Sequence, residues 1–455
     1  MSETTVSLVH LGCARNLIDS ELILARMAEE GCLVSGSLED ADVGVLNTCS
    51  FIGPARAESE QAIRDLVERK RRGELSAVVV AGCLVQRYKR GLTDRFPDVD
   101  LFAEISDYRA LARSVRELGE GVAVPRYLEA GGLRRAERED ARLLATPGSY
   151  AYLRISHGCD HTCSFCAIPA IRGKHRSKPL DALVAEGREL IDAGVRELVL
   201  VAEDATAWGR DLGSSLPVLV EALADLDGDH RLRVMYAYPN RFPWDLAPLL
   251  RDHPRVLPYL DIPVQHIATP VLRAMRRAGS GDQVRGILDR LRDEVPGITL
   301  RTTLLVGFPG ETEADALELV EFVRTYGIGR LGAFTYSPEE GTPGFELEGR
   351  VDQAEIERRH RAVLEARDEV LRANQEARLG SRLEVVVDEV HATRLVGRTD
   401  ADAPEVDLLA LVEGEYADQV VVGDRLVVEA SALDEEFNLV CRPVLEADPL
   451  PEATV

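Results

Sequence analysis

Lysine is nearly missing from this chain: Lys70, Lys89, Lys174 and Lys178 are the only four among 54 basic residues, and arginine supplies the rest. A surplus of positive charge is missing too. The 78 acidic residues leave a net charge of −24 over 455 residues. That balance excludes tight binding to a phosphate backbone as a whole-molecule property, unless a local basic patch overrides it, and it fits a basic partner. No apolar run approaches the roughly 18 residues that a membrane span needs. The start, MSETTVSLVH, has neither the basic opening nor the apolar core of a secretory signal. A cytoplasmic protein without membrane contact is therefore expected. Eight cysteines in so long a chain do not make a secreted disulfide framework; clustered cysteines in a reducing compartment point to metal or catalysis.

Short apolar runs alternate with amphipathic stretches along most of the chain, which predicts an α/β fold with parallel sheets. In residues 1–117, TVSLVHLGC, DVGVLNTC and SAVVVAGC read as three strands, with helices expected over 16–30 and 54–72. Residues 118–149 are charged and aperiodic and read as a linker. Over 150–350 six apolar runs recur (AYLRISHGC, ELVLVAED, LRVMYAYP, YLDIPVQH, LRTTLLVGFP, RLGAFTYSP), with helical patterns between most of them, such as 181–193 and 283–294. Six such units predict an incomplete (β/α)6 TIM-like barrel, with its chemistry at the C-terminal strand ends. Residues 351–379 read as one connecting helix. Residues 380–455 hold five short alternating runs, which predict a small five-stranded β-barrel.

Six cysteines form two groups. Cys159, Cys163 and Cys166 make a C-x3-C-x2-C motif directly after the first strand of the half-barrel. Three thiolates on one loop can hold three irons of a 4Fe–4S cluster, leaving the fourth iron open to a small molecule. A zinc knuckle completed by His157, His161 or His175 is the alternative. The other group, Cys13, Cys49 and Cys83, follows three predicted strands in HLGC, LNTC and VAGC. Parallel strands bring their C-terminal ends to one edge of a sheet, so these thiols are expected to converge and could hold a second cluster. Cys32 and Cys441 read as ordinary buried thiols.

Further candidates stand at barrel strand ends. Glu203 and Asp204 could meet a ligand ammonium, and Gln265 and His266 end the fourth strand. Gly307, Gly310 and Glu311, in VGFPGET, could let backbone approach a nucleoside. Each position has a bland reading as a turn, a cap or an internal hydrogen bond. The run RGKHRSK, residues 172–178, reads as a solvated basic loop or a docking point for an acidic electron donor or substrate.

These residues resemble the methylthiotransferase family of radical S-adenosylmethionine (SAM) enzymes, most closely its RimO branch. The likeness spans the chain and is carried by LGCARNLIDSE, NTCSFI, GCLVQRY, GCDHTCSFCAIPAIRG, YLDIPVQH, RTTLLVGFPGET and YSPEEGT. Ala14 stands where many relatives have proline, and Glu203 where many have glutamine. The resemblance implies an N-terminal methylthiotransferase domain, a radical SAM domain and a C-terminal TRAM domain. It implies a radical 4Fe–4S cluster on Cys159, Cys163 and Cys166 and an auxiliary one on Cys13, Cys49 and Cys83. One SAM would methylate sulfur on the auxiliary cluster, and a second would yield the 5′-deoxyadenosyl radical. A reductant such as flavodoxin or ferredoxin is implied as a partner. In the RimO branch the implied substrate carbon is the β-carbon of an aspartate in small-subunit ribosomal protein twelve.

A tRNA-modifying enzyme of the MiaB type is the alternative within the family, and a non-catalytic iron–sulfur or zinc scaffold the alternative outside it. Charge distribution separates the substrates. Residues 381–455 carry five arginines, no lysine and 18 acidic residues, a net of −13 of the total −24. Such a domain is expected to repel tRNA and to attract a basic ribosomal protein.

Overall fold

The computed structural model describes residues 3–105, 108–130, 141–277, 279–416 and 419–444. Among these, no helix is long and apolar enough to cross a membrane.

The N-terminal sheet has six strands, all parallel, in the order Leu33–Ser35, Thr5–His10, Val43–Thr48, Ala77–Gly82, Leu101–Ala103, Tyr127–Leu128. Its central strands are buried along their whole length, as expected for apolar runs covered by helices on both faces. The helices expected over 16–30 and 54–72 form at Ala14–Glu29 and Gly53–Arg71. Three of the six strands, Leu33–Ser35, Leu101–Ala103 and Tyr127–Leu128, are not among those expected from the sequence. Tyr127–Leu128 lies in the stretch read as a linker, and it pairs with Leu101–Ala103 to finish the sheet. Part of that stretch, 131–140, lies outside the described residues.

The six apolar runs of the second region form six parallel strands: Tyr150–Arg154, Glu197–Val201, Arg231–Val234, Val256–Asp261, Thr299–Val306 and Leu331–Thr335. They pair in sequence order and the first does not meet the last, so this is an open half-barrel with an α/β core. The helix Gln353–Glu376 then leads to a closed barrel of five strands, Arg382–His391, Arg394–Arg398, Ala410–Glu413, Arg425–Leu433 and Leu439–Pro443. Each strand falls within one of the five alternating runs.

One apolar core joins all three regions. Ile18, Leu22 and Val115 of the N-terminal domain pack with Tyr152, Val199 and Tyr259 of the half-barrel and with Ala403 of the C-terminal barrel. The acidic surplus of the C-terminal barrel is partly spent on this junction. Glu405 accepts from the Tyr150 and Tyr152 hydroxyls, and Asp407 from Tyr259. Asp402 pairs with Arg330, and both Glu384 and Asp400 pair with Arg231. Arg398 bridges Asp388 of its own barrel and Glu197 of the half-barrel at 2.7 and 3.0 Å. Burial pushes the Glu197 carboxyl up, but the Arg233 and Arg398 guanidiniums outweigh it and hold its pKa at about 2.

Candidate active site

Thr5–His10, Val43–Thr48 and Ala77–Gly82 are adjacent and parallel, so Cys13, Cys49 and Cys83 leave one edge of one sheet. Paired amides hold the loops together. Asn47 donates to the Asn16 carbonyl and the Ser20 hydroxyl, and Asn16 donates to the carbonyls of Leu11 and Thr48. Gly82 makes the approach possible. At φ +97° a Cβ there would stand 2.6 Å from the Thr48 backbone. Below the triad Arg172 donates to Cys83 Sγ at 3.2 Å and to Asp19 at 2.7 Å, and Asp19 also holds Arg154.

Cys159, Cys163 and Cys166 sit on the loop after Tyr150–Arg154, at the C-terminal end of the half-barrel sheet. The Cys159 N–H donates to the Gly173 carbonyl and the Cys166 N–H to that of Cys163. His161 stacks on Tyr238 with ring centroids 3.7 Å apart, and Asp204 holds its Nε2 at 2.7 Å. Arg277 lies over the other ring contact of Tyr238, 4.2 Å from its centroid, and 3.8 Å from Cys163 Sγ.

One cavity of about 360 Å³ brings Cys13 of the strand-end triad together with the loop triad. Cys13 lines it together with Cys159, Cys163 and Cys166; Arg15, Glu203, Tyr236, Gln265 and Phe51 are among the other walls. The C-terminal barrel reaches it through Val406.

The donor chemistry suits iron–sulfur clusters: thiols in threes, with no fourth cysteine beside either set. Among the described residues no three His, Cys, Asp or Glu side chains stand at single-ion distance from one another, the two cysteine triads included. The thiols also differ in acidity. Burial pushes Cys159 to about 12 and both Cys166 and Cys83 to about 11. Burial pushes Cys13 up as well, but the Arg15 and Arg172 guanidiniums and the Asn16 N–H outweigh it and lower its pKa.

Residues 153–323 match the radical SAM superfamily, residues 5–104 the uncharacterized protein family UPF0004, and residues 379–444 the TRAM domain. The chain is 40% identical over 453 residues to the ribosomal protein uS12 methylthiotransferase RimO of Trichlorobacter lovleyi, covering 98% of this chain and 99% of that one. The Porphyromonas gingivalis protein of the same name is 39% identical, covering 98% and 100%. The chain belongs to the RimO family of radical SAM methylthiotransferases. Among solved structures, the radical SAM methyltransferase TsrM from Kitasatospora setae superposes with a TM-score of 0.55 at 17% identity, over 75% of this chain and 77% of that one. The cobalamin-dependent radical enzyme OxsB gives 0.52 at 13%, over 75% and 54%. These two show the fold alone.

Not every residue singled out in the sequence reaches the cavity. Glu203 and Gln265 do, and the Glu203 Oε2 is buried without a partner. Asp204 instead holds His161 and lines a neighbouring cavity with Asp160, His175 and Asp211. His266, Gly307, Gly310 and Glu311 are absent from the cavity wall. Glu311 accepts from the Gly307 N–H and from Arg359 of the connecting helix, with His266 3.5 Å away. A Cβ on Gly307 would strike Ile356 at 2.5 Å, so this glycine admits the connecting helix. The run 172–178 is not a solvated loop either. Arg172 and Lys178 are buried, the latter paired with Glu186, and of the basic residues in the run Lys174 alone is exposed. Sequence reasoning missed Arg15, Tyr236, Tyr238 and Arg277. Arg15 was visible as a cation two positions after Cys13; the others follow no spacing that marks them.

Proposed function

We propose that this enzyme attaches a methylthio group to the β-carbon of an aspartate in ribosomal protein uS12, the protein for which its relatives are named. The observation that carries the reading is the cavity that Cys13 shares with Cys159, Cys163 and Cys166. Cys159, Cys163 and Cys166 would hold a 4Fe–4S cluster that supplies reductive SAM cleavage, and Cys13, Cys49 and Cys83 a second that carries the sulfur to be transferred. An unactivated C–H bond needs a radical, and the new C–S bond needs a held sulfur, so a shared chamber is what the reaction requires.

The chain's own residues orient and enclose. Phe51, Phe165, Met235 and Tyr236 give the chamber apolar walls that exclude water. The free Oε2 of Glu203, on the chamber wall, would accept from the SAM ammonium. Asp204 fixes His161 flat on Tyr238, which stiffens the loop that carries the radical triad. A small acidic electron carrier such as flavodoxin or ferredoxin would dock beside that loop, where Lys174 and Arg276 are exposed around a second cavity reaching Cys159, Cys163 and Cys166.

Six acids of the C-terminal barrel face the domain junction, and Glu389, Glu413, Glu415, Glu429, Glu435 and Glu436 remain exposed. They favour a basic protein over tRNA. All eight cysteines are free, as suits work beside ribosomes in the cytoplasm.

The test is direct. Anaerobically reconstituted enzyme receives a reductant and SAM together with purified uS12 and an unmodified tRNA. A mass gain of one methylthio group on uS12 supports the reading, and a gain on tRNA alone overturns the substrate. Absence of 5′-deoxyadenosine above background overturns the enzyme reading itself.

A further inference from the structure

Three guanidiniums line the chamber, and their partners set them apart. Arg301 is neutralised by Asp261 at 3.0 Å and Asp407 at 3.4 Å, all three of them well buried. Arg277 donates to the Pro263 carbonyl, lies over Tyr238 and reaches Cys163 Sγ, so it stands at the radical triad. Arg15 stands at the other triad, two residues after Cys13. It donates through Nη1 to the Ala202 carbonyl at 2.9 Å and lies 5.0 Å from the centroid of Tyr236. Its strongest charged neighbour is the Cys13 thiol, which its side chain also hydrogen-bonds, followed by Glu203; among the described residues no carboxylate forms an ion pair with it.

Two features show that this guanidinium is held in place for a ligand. A guanidinium has five N–H donors in a planar fork; the Ala202 carbonyl occupies one of the Nη1 set and the Cys13 thiol takes another, which leaves donors for a ligand. The ring beneath it belongs to a residue in a costly backbone conformation. Tyr236 has φ +61° and is kept there by its N–H on Asp261 and its carbonyl on the Ala205 N–H. A strained tyrosine is thus fixed where it supports the guanidinium from below.

We propose that Arg15 receives the side-chain carboxylate of the target aspartate. The inference rests on the substrate reading above. The chamber must take two carboxylates, one from SAM and one from the substrate, and it offers two guanidiniums without a carboxylate partner, one against each triad. SAM belongs at the radical triad with Arg277, which leaves Arg15 for the substrate, beside the triad that would carry sulfur. The β-carbon is one bond from the carboxylate carbon. Pinning that carboxylate in a bidentate grip fixes which β-hydrogen faces the radical and which carbon faces the sulfur. Arg15 is then a substrate-positioning residue and sets the preference for aspartate.

The experiment measures binding to the holoenzyme, without turnover, of uS12 and of uS12 with asparagine at the target position. SAM affinity and iron content are measured in parallel. The wild type is expected to prefer the aspartate form by roughly 10- to 100-fold, the worth of a charge-assisted hydrogen bond. Arg15→Gln should bring that ratio close to one while SAM affinity and iron content hold, and Arg15→Lys should restore most of it. Persistence of the ratio in Arg15→Gln overturns the proposal. A loss of SAM affinity with the ratio intact also overturns it, and assigns Arg15 to the SAM carboxylate. If Arg15→Gln fails to retain iron, the wild type still decides, because a ratio near one in the wild type is enough to refute the grip. A wild type that binds neither form of uS12 but binds unmodified tRNA refutes the substrate reading instead.

Discussion

The two cysteine triads are built in opposite ways. Cys159, Cys163 and Cys166 lie within eight residues on one loop, so their convergence is written locally. Cys13, Cys49 and Cys83 are 36 and 34 residues apart and meet only because three parallel strands end at one edge. The first site should tolerate damage to the N-terminal sheet, whereas the second depends on every contact that sets the strand ends. Those contacts are concentrated in Asp19, Arg172, Asn16, Asn47 and Gly82.

The sharpest way to separate the triads is to remove one thiol from each. Cys163→Ala should abolish SAM cleavage altogether, as read by 5′-deoxyadenosine. Cys49→Ala should keep SAM cleavage and lose methylthio transfer to uS12. Full transfer by Cys49→Ala would refute the assignment of that triad.

Asp19→Asn comes next. It strips the counter-charge from two buried guanidiniums of the half-barrel, Arg154 and Arg172, and should cost about 3–5 kcal/mol in a urea titration of the whole protein. Because Arg172 also contacts Cys83, iron should be lost from the strand-end triad before the loop triad. Gly82→Ala should act in the same direction with a smaller cost, about 1–3 kcal/mol, from its left-handed backbone and the clash with Thr48. Equal iron loss from both triads in either variant would contradict the asymmetry.

A subtler contrast lies in thiol acidity. In iron-free protein at pH 8, Cys13 should alkylate ahead of Cys83, Cys159 and Cys166, as read by mass spectrometry. Raised thiol pKa values mean that the folded state favours the neutral form. Their contribution to the stability of iron-free protein is complete below the ordinary thiol value near 9 and is lost as pH rises toward 11–12. A flat stability profile from pH 8 to 11 would count against the buried, protonated thiols.

Much of this was legible in the sequence because the signals are local or periodic. The six half-barrel strands are apolar runs, the five strands of the small barrel alternate, and the cysteines stand beside strand ends. What escaped depends on distant partners. Asp407 pairs with Tyr259 from 148 residues away, so the acids of the last domain read as free surface when six of them face the domain junction. Glu311 and Gly307 read as ligand contacts because their motif resembles a binding loop, yet they pack against helix residues Arg359 and Ile356, 48 and 49 positions later. Tyr127–Leu128 is too short for a periodic signal, and only its neighbour in the sheet identifies it as a strand. Arg15 and Arg277 gain significance solely from what surrounds them in the chamber.

The central claim is that two separate cysteine triads each hold a cluster at one chamber. Iron and acid-labile sulfide per chain, counted on anaerobically reconstituted wild type, Cys163→Ala and Cys49→Ala, test it most directly. The account expects about eight irons in the wild type and about four in each variant, with matching sulfide. About four irons in the wild type, lost entirely in Cys163→Ala and unchanged in Cys49→Ala, would contradict it.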